Sequence, residues 1–370
     1  MPFDRGSFSC RVCHLDRPLP KDALERFAAK AAGGLDAVRE EPQLGWVSGR
    51  HLLETRIDEE TAITGGHLHL CLRQAVRKIP PALLRAECRL VELAAQKEAG
   101  TSSVNRKDRK RIREEVTTRM LPQMPPQLGG TPFVVEAATS RLYLGATSDR
   151  QLDAFLGLFS DTLGFDPVPL TAEIAARDLF QVDPDSLPRL LFAPDRPQNA
   201  GAEQSPLGRD FLTWLWFLRE ETGGNLPKSA HGEFAFELDG PLVFAGDGPD
   251  AQELVIRKGA PTSSAEAQAA LLAGKKLKRA KLTIARARTE VWSVTVDADK
   301  FIFRGLRLPD GEAMEEHAAF AERIICLHLF QALFYALFER YLGEVRERRK
   351  AEALEHKLQD WVRGRNTTTS

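Results

Sequence analysis

Between Ser7 and Leu15, Phe8, Cys10 and Val12 alternate with polar neighbours, the two-residue period of a strand. Pro18 and Pro20 end it, and Leu24, Phe27 and Ala28 then share one face of a helix expected over Ala23 to Leu35. His67 to Val76 alternates again. Pro80 and Pro81 open a charged stretch, Ala82 to Met120, that is poor in large apolar side chains and broken near Gly100 and Ser102-Ser103. Two helices in a projecting arm are the expectation. Strands follow at Phe133 to Ala138 and Arg141 to Ala146, then a helix from Asp149 to Leu163 with Ser148 as its cap.

Residues 171–232 are less regular, apart from the aromatic run Phe211 to Leu218, FLTWLWFL. Strand-like runs resume over 232–248, at Glu253 to Gly259, and in three segments between Lys281 and Leu308. A helix capped by Ser264 is expected to end at Gly274, and Glu312 to Arg363 reads as helical. The fold class is therefore α+β: antiparallel sheets with packed helices, a projecting helical arm and a helical C-terminus. Domain boundaries are expected at 170 and 310, with the arm inserted at 79–122 of the first unit.

Composition adds little direction. The chain has 370 residues, 43% hydrophobic and 28% charged, with a net charge of −1, so only local clustering can point to a polyanion. No export signal is evident at the N-terminus, and the apolar stretch Ile324 to Phe338 is short for a bilayer and contains His328 and Gln331. A cytoplasmic protein with its five cysteines reduced is the expectation.

Two segments carry the charge. Gly274 to Arg288 holds Lys275, Lys276, Lys278, Arg279, Lys281, Arg286 and Arg288 with no acidic residue. Such a run can lie along a phosphate backbone; the alternative is a solvated loop. Asn105 to Glu115 holds Arg106, Lys107, Arg109, Lys110, Arg111 and Arg113 against Asp108, Glu114 and Glu115. Helical spacing puts Arg106, Arg109 or Lys110, and Arg113 on one side, although charge runs of this kind also form salt-bridged solvent faces.

Other motifs read as structural. Cys10-Arg-Val-Cys13-His14 fits the c-type haem pattern, but on a strand Cys10 and Cys13 take opposite faces and no second Cys pair exists for zinc. His67 and His69 would share a strand face without a nearby acid or Cys. Trp214, Trp216 and Phe217 read as core or subunit interface. Phosphate-loop, nucleophile-elbow and HExxH motifs are absent, and no cofactor is expected.

Leu44-Gly45-Trp46-Val47, Lys78-Ile79-Pro80 opening the arm, Met120-Leu121-Pro122 closing it, the FVVEAATSRLYLGATSDRQLDAFLGLF hairpin and helix, Val168-Pro169-Leu170, Phe236-Glu237-Leu238, Val255-Ile256-Arg257 and Ala273-Gly274-Lys275 occur in an order that resembles the recombination-associated protein RdgC family. The likeness covers residues 1–170 and about 233–343. It implies a head-to-tail homodimeric ring that encloses duplex DNA with little sequence preference, restrains RecA-type strand exchange and associates with the nucleoid. It makes the arm a finger and places Lys275 to Lys281 in a DNA-facing part of the ring. This chain departs from the family at Gln123-Met124-Pro125, where an aromatic follows Leu-Pro, and at Ala260-Pro261, where a Lys-Gln pair stands. The rival class is a metal-dependent nuclease or nucleotide hydrolase, with Asp161 and Asp166, or Asp247 and Asp250, as candidate ligands.

Overall fold

The computed structural model describes residues 2–136, 138–194, 206–228, 232–246, 252–286 and 289–364. Arg288, Asp247 and Asp250 lie outside the described residues. A twelve-stranded sheet runs through the described part. Its first half holds β1 (Phe8–His14), β2 (Gln43–Ser48), β3 (Ile63–Thr64), β4 (His67–Val76), β5 (Gln127–Glu136), β6 (Arg141–Leu144) and β7 (Val168–Pro169). Its second half holds β8 (Phe234–Ala245), β9 (Leu254–Ile256), β10 (Lys276–Arg286), β11 (Glu290–Asp297) and β12 (Ile302–Arg307). The order is β2-β4-β5-β6-β1-β12-β11-β10-β8-β9, with β3 on β4 and β7 on β1. The junction between the halves is antiparallel pairing of β1 with β12, Cys10 opposite Phe303 and Arg11 opposite Ile302.

The helices are α1 (Ala23–Ala29), α2 (Glu59–Ala62), α3 (Pro81–Ala99), α4 (Arg106–Met120), α5 (Asp149–Leu163), α6 (Ala172–Phe180), α7 (Leu207–Thr222), α8 (Ala265–Leu272), α9 (Glu316–Val345) and α10 (Arg348–Gly364). The α+β architecture read from the alternating and helical periods is the one observed. Local chemistry explains several boundaries. Ser148 and Gln151 cap α5 reciprocally, and Ser264 caps α8. β1 is covered on both faces, which sends Cys10 and Val12 into one core and Cys13 into the other.

The first core lies between α1, α5 and the first half of the sheet. Trp46 meets Phe27, Phe133 and Phe155 edge-on, with ring centroids 5.2, 5.4 and 5.7 Å apart, and its Nε1 donates to Thr162 Oγ1 at 2.8 Å. The second core lies on the opposite face and spans both halves, because α9 crosses beneath them. Tyr143 of β6 donates to Gln331 of α9 at 2.6 Å, and Phe303 of β12 meets Phe330 and Phe334 at 5.0 and 4.9 Å.

Two expectations need correcting. The region 171–232 contains α6 and the sixteen-residue α7, whose Phe211, Trp214, Trp216 and Phe217 are all buried. Surrounded by core on most sides, α7 lacks the polar stripe that would have marked it as a helix. Of the two readings open for the aromatic run, core or subunit interface, core is observed: the aromatic runs of α7 and α9 cover each other, with Phe211 meeting Phe334 at 5.5 Å and Phe338 at 5.1 Å. Neither run needs a second chain to leave water. Second, the strand-like runs expected over 232–248 are one strand, β8, which stays paired with β10 through irregular register. α9 is also long and apolar enough to cross a membrane by length and composition, yet Phe320, Ile324, Leu327, Phe330, Phe334 and Phe338 sit in the second core.

His67 and His69 do share one face of β4, turned to Phe320 of α9. The His69 ring is fully buried and stacks on Phe320 at 4.7 Å. Gly49 makes room for it, since a Cβ there would fall 2.2 Å from the ring. Asp4 stands 3.6 Å from Nδ1, too far for a good hydrogen bond. Burial, helped by Arg50, lowers the imidazole pKa to about 3.

Two outcomes follow from this packing. Truncating Phe334 to Ala removes the ring that joins α7, α9 and β12, and the unfolding free energy should fall by about 3–5 kcal/mol, measured by denaturant titration. His69 binds a proton in the unfolded chain below about pH 6.5 but not in the folded one until about pH 3. Stability should therefore decline as pH falls across that window, and His69→Asn should flatten that part of the pH–stability curve.

Candidate nucleic-acid interface

The arm is a helical hairpin inserted between paired strands. Pro80 and Pro81 start α3, Gly100 ends it in the left-handed conformation at φ +63°, and the Asn105 side chain accepts from Asp108 N at 2.8 Å to start α4. The hairpin's own small core is Leu84, Cys88 and Val91 against Ile112, Val116 and Met120. Arg119 of α4 reaches Glu87 of α3 at 2.7 Å. At the root, Arg77 donates to the carbonyls of Val38 at 3.0 Å, Leu35 at 3.2 Å and Met124, holding both sides of the insertion point. Met124 packs into this root.

All six expected cations of α4 are exposed: Arg106, Lys107, Arg109, Lys110, Arg111 and Arg113. They divide into two groups. Arg111 lies 3.6 Å from Asp108 and 4.0 Å from Glu115, and Lys110 lies 3.8 Å from Glu114. These are long, exposed pairs of little energetic weight. Arg106, Lys107, Arg109 and Arg113 have no acidic partner within ion-pair distance among the described residues.

Arg109 and Arg113, one helical turn apart, line a cleft of about 710 Å³ between the arm and its root. Arg85 and Arg89, one turn apart on α3, line the same cleft, as does Lys78 where β4 runs into the arm. Glu40 and Glu92 are the opposing acids, and Arg89 contacts Glu92 at 3.3 Å. Cations thus outnumber acids on the walls, and guanidinium groups suit bidentate contact with phosphate oxygens. Lys78, Arg85 and Arg89 were not among the residues expected from sequence. Their signal was the Arg-x-x-x-Arg spacing at 85 and 89, which gains meaning only when α3 folds back against α4.

The second basic segment is placed differently. The run acid-free in sequence is not acid-free in space. It forms β10 directly after α8, not a loop. Lys276 is buried, its Nζ 2.5 Å from the fully buried Asp210 of α7 and 5.7 Å from the Phe192 ring centre. Lys278 lies 2.6 Å from Glu253 and 3.5 Å from Asp299, and its hydrogen bond to Glu253 lowers that carboxyl's pKa. Arg279 lies 2.9 Å from Asp297, and Arg286 2.5 Å from Glu290. Lys275, half-buried, donates to Gln252 O at 3.0 Å, and Lys281 is also half-buried, opposite Asp239 and Thr295. The expectation of a solvent-facing cationic strip is corrected here. Lys276 is withdrawn into the protein, Lys278 and Arg279 already have carboxylate partners, and Lys275 and Lys281 keep access to solvent.

Nor do the two segments meet within one chain. Between β5, which carries the arm's return, and β10 the sheet steps through β6, β1, β12 and β11. At about 4.8 Å per strand that is roughly 24 Å. Of the candidate carboxylates for a nuclease, Asp161 is engaged by Lys30 and shares a shallow surface depression with Asp166. No group of three or more His, Cys, Asp or Glu side chains arranged to hold a metal occurs among the described residues.

Residues 15–180, the stretch from the end of β1 through α6 that includes the whole arm, match a family model described as "Putative exonuclease, RdgC". That stretch is similar to the RdgC family. A protein of Psychromonas ingrahamii named recombination-associated protein RdgC is 24% identical over 164 residues, 43% of this chain and 52% of that protein. Another of the same name, from Pseudoalteromonas atlantica, is 26% identical over 175 residues, 45% of this chain and 54% of its own. The matched part spans about half the length of these RdgC proteins. The arm and its cleft fall inside the RdgC match, and β10 falls outside it.

The two basic segments should therefore respond oppositely to truncation. Lys276→Ala leaves Asp210 buried without its cation and should cost about 3–5 kcal/mol of stability in denaturant unfolding. Arg109→Ala and Arg113→Ala should leave the unfolding midpoint unchanged, because both side chains end in solvent.

Proposed function

We propose that this protein binds double-stranded DNA without sequence preference, through phosphates held at the arm, and in that way modulates homologous recombination by limiting the access of a RecA-type recombinase. The observation that carries this reading is the convergence of Lys78, Arg85, Arg89, Arg109 and Arg113 on one open cleft. A row of exposed guanidinium groups contacts a phosphate backbone without reading bases, which gives affinity and register but little sequence discrimination. The name shared by the two relatives supports the link to recombination. In this reading the protein works in the cytoplasm, on the nucleoid, and performs no covalent chemistry.

A homodimeric ring belongs to the same proposal. It would bring two arms to one duplex and could bring the distant β10 of a second copy to the same hole, where Lys275 and Lys281 remain accessible. The rival reading, DNA cleavage, draws support from the wording of the family description. Incubation of an end-labelled duplex with Mg²⁺ separates the two: binding without product supports the first, and accumulating shorter fragments support the second.

For duplex DNA, log affinity should fall linearly with log salt, with a slope of about −0.9 per phosphate neutralised. Replacing Arg85, Arg89, Arg109 and Arg113 together with Ala should flatten that slope by up to about four phosphate equivalents and weaken all duplex sequences alike. Replacing Lys275 and Lys281 should change it less. An unaltered slope in the arm variant would reject the arm as the DNA site.

A further inference from the structure

A second cavity adjoins the basic cleft and shares a wall with it. It has a volume of about 510 Å³, within the usual range for small-ligand sites. Lys78 lines both cavities. On the far side stands Arg150, in the first turn of α5. The floor is the face of β4 and β5 beside the first turns of α5, where Leu72 is buried and Gly129 stands opposite Gln74. A Cβ on Gly129 would meet nothing within 4 Å, so its missing side chain leaves the floor open, not crowded. The Gln74 and Gln127 side chains have no hydrogen-bond partner among the described residues, although both line the cavity.

We infer that this cavity receives an unpaired nucleobase of a nucleic acid whose backbone runs through the arm cleft. The chemistry of the walls fits that occupant. A base presents flat apolar faces, which suit Leu72 and the open strand floor. Its edge carries donors and acceptors, which suit the carboxamides of Gln74 and Gln127. Its neighbouring phosphates would fall between Lys78 and Arg150, the two cations at the rim. Lys78 then serves as the hinge point: one phosphate on its cleft side, the next nucleotide's base on its cavity side. A paired base inside a duplex cannot enter, so the cavity adds affinity only at gaps or single-stranded tails. The inference rests on the reading of the arm as a nucleic-acid site.

The test compares a blunt duplex, the same duplex with a single-stranded overhang, and the overhang made abasic so that phosphates remain and bases do not. The full-length protein should bind the base-bearing overhang about tenfold more tightly than the abasic one, a difference of about 1.4 kcal/mol. Gly129→Leu fills the cavity from a backbone position with open space around it, and should abolish this difference while leaving blunt-duplex affinity unchanged. Gln74→Ala, a milder change, should reduce it. Equal binding of base-bearing and abasic overhangs by the unmodified protein overturns the inference, and so does a difference that survives in a folded Gly129→Leu variant. A base-dependent difference without any blunt-duplex binding would support the cavity and refute the arm as a duplex site. Failure to bind all three would refute both.

Discussion

Pairing of the first strand with the last is the constraint on which the rest of this structure depends. β1 lies between β6 and β12 in the middle of the sheet, with both faces under cover. One partner, β6, comes from the first half of the chain and the other, β12, from near its end, so the sheet closes only after most of the polypeptide has been collected. α9 reinforces the closure from below, touching β6 through Gln331 and β12 through Phe330 and Phe334. Because the junction is made of backbone hydrogen bonds and a continuous apolar layer, the expected boundaries at 170 and 310 are crossed by both sheet and core.

Much of the secondary structure was legible because its signals are local. Alternation marked β1 and β4; prolines and Gly100 marked the arm; Ser148 and Ser264 marked helix starts. What was illegible depends on distance. α7 is wrapped in core and shows no polar stripe. The Lys276 partner, Asp210, is 66 residues away, and no inspection of residues 275–288 could reveal it. A cluster of like charges in sequence is therefore weak evidence of a cationic surface when the segment is a central strand. On an isolated helical hairpin the same inference is safer, since few other elements can supply acids.

The candidate site shows the same limit in reverse. Arg109 and Arg113 were readable from helical spacing, whereas Arg85 and Arg89 stand among alanines and leucines on a helix that looked structural. Only the antiparallel return of α4 sets the two arginine pairs across one opening. Gly129 was silent, and Lys78 marked only the opening of the arm. A glycine within a strand and a lysine before a proline acquire a role only from the cavities on either side of them.

The insertion geometry of the arm has a wider consequence. β4 and β5 stay in register from Leu68 opposite Val135 to Val76 opposite Gln127, so the chain leaves and rejoins the sheet at adjacent points. To the sheet, the hairpin between them is an enlarged strand-to-strand turn, anchored by Arg77 and a few apolar contacts. Its length, charge and tip can drift over generations without moving a single core residue, provided the root is kept. Selection can thus tune how strongly the protein grips its ligand as a variable nearly independent of whether it folds.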